Sequence, residues 1–224
     1  MDKSKLSFHD ALKISYEDKK MSKKDMMKKG YYLDNKLSHG HERVYYNPEN
    51  KKLLMTVQGT SSLYDWGVDA YLGAGMIKHT NRYKEAHTRL REAKKKYGIP
   101  ATIVGHSLGG AISGYISQSD DIVKTYNKGA TIGQKIKDNE THYRTHGDVV
   151  SAFNSNDKNT INLKNGNDPN ELNMGWNFLD HASQALHGLN KGSLKDVFYT
   201  GKEYVDEALG AHAVSNLKSE EIYV

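Results

Sequence analysis

A short apolar segment of this chain runs directly into a glycine-flanked turn and then into a segment of small residues. Pro100 to Val104 is apolar enough for a buried strand, and Leu108 to Gln118 carries small and apolar residues on one helical face. In the turn, Gly105-His106-Ser107-Leu108-Gly109, glycine stands two residues before and two residues after a serine. This spacing is typical of a strand and a helix that almost touch. We therefore expect Ser107 in a tight, strained turn with a positive φ.

Strand-like and helix-like segments alternate along the chain on both sides of this turn. Leu53 to Gln58, Ile122 to Tyr126 and Thr141 to Thr145 are predicted strands. Asn81 to Tyr97 is a predicted long helix that ends at Gly98. Such alternation is typical of an α/β fold, in which helices cover both faces of a mostly parallel central sheet.

The residues ahead of this core predict a helix and a hairpin. Ser7 is the expected N-cap of a helix whose apolar residues recur at helical spacing as far as Tyr16. Tyr31 to Leu37 and Glu42 to Tyr46 flank a polar turn and are expected to pair as two antiparallel strands. The fold class therefore includes an N-terminal helix and hairpin added to the α/β sheet.

The downstream part of the chain is less regular. Residues 154–173 are mostly Asn, Asp and Lys and predict a long loop, followed by helices near Trp176 to Leu186 and Leu194 to Leu209. A length of 224 residues without internal repeats suits one domain. We divide that domain into an extension over residues 1–50 and a core over residues 51–217.

Composition excludes several classes of protein. The chain contains no cysteine, which excludes a disulfide framework, a thiolate nucleophile and a thiolate metal site. No apolar run approaches the roughly 20 residues that span a bilayer. Met1 to Leu6 lacks the apolar region of a secretory signal. A cytoplasmic location is therefore favoured over secretion.

Lysine clusters supply most of the formal net charge of +5. Such clusters are typical of solvated helix faces, and the alternative is peripheral contact with an anionic membrane. No recognition motif accompanies them, so nucleic acid is not an expected partner. The clusters are Lys19-Lys20, Lys23-Lys24, Lys28-Lys29 and Lys94-Lys95-Lys96.

A serine in such a turn is a candidate nucleophile. Its hydroxyl points away from the end of the sheet, and the helix that follows directs its positive N-terminal dipole at the same place. The alternative is a glycine-rich turn in which Ser107 is incidental. A serine hydroxyl is a weak nucleophile at neutral pH and needs a base, and in folds with this turn the acid and then the histidine follow the serine along the chain.

Asp148 is the candidate acid, because it follows the Thr141 to Thr145 strand at the carboxyl end, where α/β sheets gather their sites. A simple turn aspartate is the alternative for Asp148, and Asp138 and Asp157 are the fallback acids. Three histidines lie beyond Asp148, and we prefer His212, which follows a predicted helix among small residues. The other two are His181, which could instead cover a helix, and His187.

The chain resembles the class 3 lipases, the fungal-type triacylglycerol lipases, from about Leu53 to Leu217. Val57 to Trp66 is similar to the family's apolar strand, R-G-[ST] turn and tryptophan-containing helix. A histidine, His79, then a long helix and G-H-S-L-G-G follow in the family's order. The resemblance implies an α/β-hydrolase that cleaves carboxylic esters, lipid esters above all, without a metal or an organic cofactor.

The resemblance also assigns site residues. Ser107, Asp148 and His212 match the family's catalytic triad. Thr60 matches the oxyanion residue, and Leu108 supplies the second oxyanion N–H at the start of the helix. His79 matches a family histidine beside the site and is interpreted as structural.

Three departures from the family pattern accompany the match. Gln58 replaces the usual arginine before the Gly-Thr turn, Val149 replaces a proline, and 66–77 is shorter than the family's lid. Lysine-rich, cysteine-free proteins of this kind also occur in large DNA viruses, which implies an infected-cell or virion setting. The alternatives to a lipase, phospholipase or esterase are a transferase or amidase with the same triad, and a non-catalytic lipid- or membrane-binding module.

Overall fold

Seven strands form one sheet among the residues that the structure describes. The structure is a computed structural model that describes residues 5–17, 19–60, 77–129, 134–145, 148, 151, 157–163, 214, 217 and 222–224. The strands lie in the sheet in the order in which they occur in the chain. They are β1 (Tyr32–Leu33), β2 (Glu42–Asn47), β3 (Lys52–Val57), β4 (Ala101–His106), β5 (Ile122–Tyr126), β6 (Glu140–Thr145) and β7 (Thr160–Leu163).

Strand β2 is antiparallel to both of its neighbours, β1 and β3, and β3 to β7 are parallel. The carboxyl ends of these five parallel strands therefore meet at one edge of the sheet. Ser107 follows β4 at that edge, and the Gly59-Thr60 turn follows the neighbouring β3. Val57 and Gly105 are partners in the register of these two strands, so both turns begin at the same level.

Four helices flank the sheet in the described residues. Ser7 caps the first of them as predicted, since its Oγ accepts the Asp10 N–H at 3.0 Å. The long helix ends as predicted at Gly98, whose φ of 69° is left-handed. The helices are α1 (Phe8–Tyr16), α2 (Lys19–Met27), α3 (Asn81–Tyr97) and α4 (Leu108–Ile116).

The core lies on both faces of the sheet, because alternate side chains of each strand point to opposite sides. Leu53, Met55 and Val57 pack on the face that α3 and α4 cover, and Leu54 packs on the face that α1 covers. The predicted α/β class is therefore confirmed. A mostly parallel sheet with helices on both faces and an N-terminal helix and hairpin is consistent with an α/β-hydrolase fold.

Two predictions are corrected by the structure. The loop expected at 154–173 contains β7, which pairs in parallel with β6. This strand has only four residues, and the alternation of Ile161 and Leu163 with polar residues is too short to stand out in a segment of mostly Asn, Asp and Lys. The first hairpin strand is only Tyr32–Leu33, because Oδ1 of Asp34 accepts the Lys36 and Leu37 N–H groups and starts a turn there.

None of the helices in the described part of the chain is both long enough and apolar enough to cross a membrane. The helices predicted near Trp176 to Leu186 and Leu194 to Leu209 lie outside the described residues.

Candidate active site

Ser107 occupies a strained turn between β4 and α4. Its φ of 56° and ψ of −129° put a non-glycine residue at positive φ, as predicted from the spacing of the glycines. Such a backbone conformation costs on the order of 1–3 kcal/mol and persists only where the surrounding structure imposes it. The Ser107 side chain makes no capping hydrogen bond with α4. The turn therefore presents a serine hydroxyl at the N-terminus of a helix without using it to stabilise that helix.

The two flanking glycines are required by close backbone contacts. A Cβ on Gly105 would lie 2.5 Å from the carbonyl oxygen of Gly109. A Cβ on Gly109 would lie 2.2 Å from the carbonyl oxygen of Val57, in the neighbouring strand β3. Both distances are far inside van der Waals contact, so the strand and the helix touch as the sequence predicted.

Replacing Gly109 with alanine is expected to destabilise the protein by at least about 3 kcal/mol, because the added methyl meets backbone that no rotamer change can move. Gly110 is the matched control: a Cβ there has its nearest neighbour at 3.3 Å, so Gly110→Ala is expected to be tolerated far better. Urea unfolding of both variants measures the difference. A Gly109→Ala midpoint equal to that of the parent would contradict the tight turn.

The turn after β3 lies directly against Ser107. A Cβ on Gly59 would be 2.9 Å from the Ser107 Cβ and 2.8 Å from the His106 carbonyl oxygen. Thr60 follows Gly59 and is half-buried, and Leu108 is the first residue of α4. Of the two predicted oxyanion residues, Leu108 directly follows Ser107 in the chain, and Thr60 directly follows Gly59, which lies against the Ser107 Cβ.

Tyr16, the last residue of α1, joins this turn to the serine turn. Its Oη accepts the Gly59 N–H at 3.1 Å and lies 2.5 Å from Nδ1 of His106. Burial raises the pKa of the Tyr16 phenol to about 12. The phenol therefore keeps its proton at neutral pH, and its hydroxyl forms a hydrogen bond with His106 Nδ1. The sequence placed Tyr16 only on the apolar face of a helix, and no spacing in the chain pointed to this contact.

Asp148 lies just beyond β6, at the same edge of the sheet as Ser107, and is fully buried. Its Oδ2 accepts hydrogen bonds from the N–H of Ser151 at 3.1 Å and from the hydroxyl of Ser151 at 2.5 Å. Its backbone carbonyl oxygen accepts a hydrogen bond from Nη2 of the buried Arg144 at 2.9 Å. Both the carboxylate and the backbone of Asp148 are therefore held in one orientation. Sequence reasoning did not identify Ser151 or Arg144.

The fallback acids lie elsewhere. Asp138 precedes β6 and Asp157 precedes β7, so both are at the amino ends of parallel strands, opposite the serine. The Asp138 side chain is 88% exposed and pairs with Lys158. Among the three aspartates considered, Asp148 alone shares an edge of the sheet with Ser107.

His142, on β6, is a buried histidine that the sequence did not single out. Burial, together with the nearby Lys128 and Arg144 cations, lowers its pKa to about 3. Its Nδ1 lies 3.0 Å from Oγ1 of Thr125. A ring that stays neutral until pH 3 is poorly matched to a general base that must take up a proton near neutral pH. His142 is therefore interpreted as a structural residue.

Several predicted site residues lie outside the described part of the chain. These include the preferred base His212, the alternative histidines, Trp66 and nearly all of the shortened lid segment at 66–77. His79 is described, and it is exposed at the end of a short 3-10 helix, Ile77–His79. Within the described residues, no group of three or more His, Asp or Glu side chains could hold a metal ion.

This chain matches no protein-family model and no curated protein. Among solved structures, the chain is similar to the crystal structure of Lip2 lipase from Yarrowia lipolytica, with a TM-score of 0.40 and 17% sequence identity. The match covers 54% of this chain and 60% of that lipase chain, which is less than two thirds of its length. At this level of similarity, a functional assignment depends on the residues of the site itself.

Proposed function

We propose that this protein is a serine hydrolase of carboxylic esters, related to the class 3 lipases, with lipid esters as its substrate class. One observation carries the proposal: Ser107 stands at positive φ between a strand and a helix, with the Gly59-Thr60 turn packed against it. An activated serine beside two sets of backbone N–H groups is the arrangement that acyl transfer requires. The choice of lipid esters is supported by the resemblance of Val57 to Trp66 and of the serine turn to the class 3 lipases.

In the proposed reaction, the Ser107 hydroxyl attacks the ester carbonyl carbon while His212 takes its proton. The N–H groups of Thr60 and Leu108 stabilise the negative charge that develops on the carbonyl oxygen, each contributing on the order of 3 kcal/mol. His212 then protonates the leaving alcohol, and the acyl group stays on Ser107. Water, activated by His212, attacks this acyl-enzyme and releases the carboxylic acid.

Asp148 has a supporting role in this mechanism. Its carboxylate orients the imidazole and stabilises the cation that forms when His212 takes up the proton. Strands β4 and β6 are two strand spacings apart, or about 10 Å. Ser107 and Asp148 follow these two strands at the same edge of the sheet, and His212 is proposed to lie between them.

A fluorophosphonate probe tests the nucleophile directly, because it reacts covalently with an activated serine. We expect labelling of the native protein, loss of labelling after heat denaturation, and a single modified peptide that contains Ser107. Excess p-nitrophenyl butyrate present during the reaction should slow the labelling. Absence of labelling in folded protein, or modification of a different serine, would reject the assignment.

A chain-length series of p-nitrophenyl esters, followed by vesicles of neutral or anionic phospholipid, tests the substrate class. Hydrolysis that extends to long acyl chains or to the vesicles supports lipid esters. Transfer of the acyl group to added alcohols or amines in preference to water would indicate a transferase. Binding to anionic vesicles without hydrolysis would favour the non-catalytic module, for which the exposed lysines Lys13, Lys23 and Lys24 offer a cationic surface.

A further inference from the structure

Side chains from two helices hold one peptide unit of the oxyanion turn from opposite sides. This unit joins Gln58 to Gly59, immediately before Thr60. Its carbonyl oxygen accepts a hydrogen bond from Nη2 of Arg82, in the first turn of α3. Its N–H donates a hydrogen bond to Oη of Tyr16, at the end of α1. Both polar groups of the unit therefore have side-chain partners from distant parts of the chain.

The neighbouring backbone leaves this peptide unit little freedom to translate. The Gln58 N–H donates to the His41 carbonyl oxygen at 2.9 Å. The Gln58 carbonyl oxygen would be 2.7 Å from a Cβ on Gly109, so it lies against the first turn of α4. Rotation about the chain axis is the motion that remains, and the hydrogen bonds of Arg82 and Tyr16 oppose it. Because Thr60 follows directly, such a rotation would also turn the Thr60 N–H.

The two side chains act on a connected set of groups. Arg82 lies close enough to Tyr16 for its positive charge to lower the pKa of the phenol. The larger effect on this pKa is that of burial, which raises it. A guanidinium makes a stronger hydrogen bond to a carbonyl than a neutral donor does. From Gly59, the hydrogen bonds continue through Tyr16 to His106, the residue before Ser107. The oxyanion turn and the serine turn are thus coupled through one phenol.

We propose that Arg82 and Tyr16 are positioning residues that orient the Gln58–Gly59 peptide unit and, through it, the Thr60 N–H of the oxyanion hole. The inference rests on the proposed function, and neither side chain touches substrate in it. It also gives the departure at Gln58 a physical account. The family turn that this chain resembles has arginine at that position, whereas here a guanidinium reaches the turn from α3.

Kinetics of Arg82→Gln, Tyr16→Phe and the double variant on p-nitrophenyl butyrate test this inference. We expect kcat to fall about 10- to 100-fold in each single variant, less than the loss on removing an oxyanion donor itself. KM should stay within about twofold. The double variant should lose less than the product of the two single losses, because both residues restrain the same peptide unit. Arg82→Lys, which keeps a cationic donor, should recover part of the activity.

A second readout separates positioning from general structural support. Phenylboronic acid forms a tetrahedral adduct with an active serine, so its affinity should fall in parallel with kcat in the same variants. Urea unfolding then shows whether the folded population is retained. The matched controls are Arg91→Gln, an exposed arginine of α3, and Tyr32→Phe, an exposed tyrosine, both expected to have parental kinetics.

The outcomes distinguish this inference from the function on which it rests. If the parental protein hydrolyses ester and the variants keep the parental kcat and boronic acid affinity, the positioning role alone is overturned. It is overturned as well if the variants lose activity only because they unfold, and their folded fraction keeps the parental kcat. If the parental protein neither hydrolyses ester nor reacts with a fluorophosphonate, the proposed function and this inference are overturned together. Parallel losses of kcat and boronic acid affinity in folded variants support it.

Discussion

Replacing Ser107 with alanine is expected to lower kcat on p-nitrophenyl esters by about 10⁶-fold, the loss seen when a serine nucleophile is removed from a triad. Without the hydroxyl no acyl-enzyme can form, and the remaining groups can only bind the ester. The fold should survive, since the Ser107 side chain makes no capping hydrogen bond with α4. Steady-state hydrolysis, circular dichroism and urea unfolding of the same preparation measure both effects.

Two control variants sharpen this prediction. Ser119→Ala changes an exposed serine of the turn that follows α4 and should keep parental activity. Ser107→Gly should be as inactive as the alanine variant but more stable by about 1 kcal/mol, because glycine relieves the strain at a φ of 56°. Residual hydrolysis above about 1% in the folded Ser107→Ala protein would show that another group attacks the ester.

Replacing Asp148 with asparagine is expected to lower kcat by about 10⁴-fold. The amide has nearly the same shape, and its oxygen can still accept the hydrogen bonds that Ser151 donates to Oδ2. Arg144 binds the Asp148 backbone carbonyl rather than the carboxylate, so that contact also remains. The loss should therefore come from the imidazole, which loses an anionic partner and adopts the wrong tautomer.

The pH dependence of kcat/KM is expected to shift in a definite direction in the Asp148→Asn variant. A carboxylate beside an imidazole stabilises the protonated ring and raises its pKa. Removing the negative charge should lower the pKa of the base, so the acid limb of the kcat/KM profile should move to lower pH in Asp148→Asn. Asp138→Asn, an exposed change at the opposite edge of the sheet, is the control and should leave rate and profile unchanged. A fully active Asp148→Asn protein would remove Asp148 from the mechanism.

The position of α1 gives the N-terminal segment a part in the site as well as in the core. Phe8 and Leu12 are fully buried in the cluster that includes Val104 of β4. The same helix ends at Tyr16, whose hydroxyl reaches Gly59 and His106. Packing of the apolar face thus determines where the phenol lies. Changes in this segment can therefore alter the candidate site without touching residues 51–217.

Local patterns in the sequence were sufficient to predict the structural features that depend only on neighbouring residues in the chain. Ser7 caps a helix through a bond three residues away, and Gly98 ends one because glycine tolerates a left-handed φ. The glycine spacing around Ser107 predicted a positive φ, since only small neighbours allow a strand and a helix to touch. Strand β7 was missed because its apolar alternation comprises only Ile161 and Leu163, within a segment of mostly Asn, Asp and Lys.

The sequence by itself determined the α/β class, the serine turn, and the order in which Ser107 and Asp148 follow their strands. Those features depend on steric limits and apolar periodicity over a few consecutive residues. Only the tertiary structure decided that Gly59 lies against Ser107, that Ser151 and Arg144 hold Asp148, and that Tyr16 and Arg82 bind one peptide unit. These contacts join residues from separate strands and helices, and their distances depend on how the elements pack together.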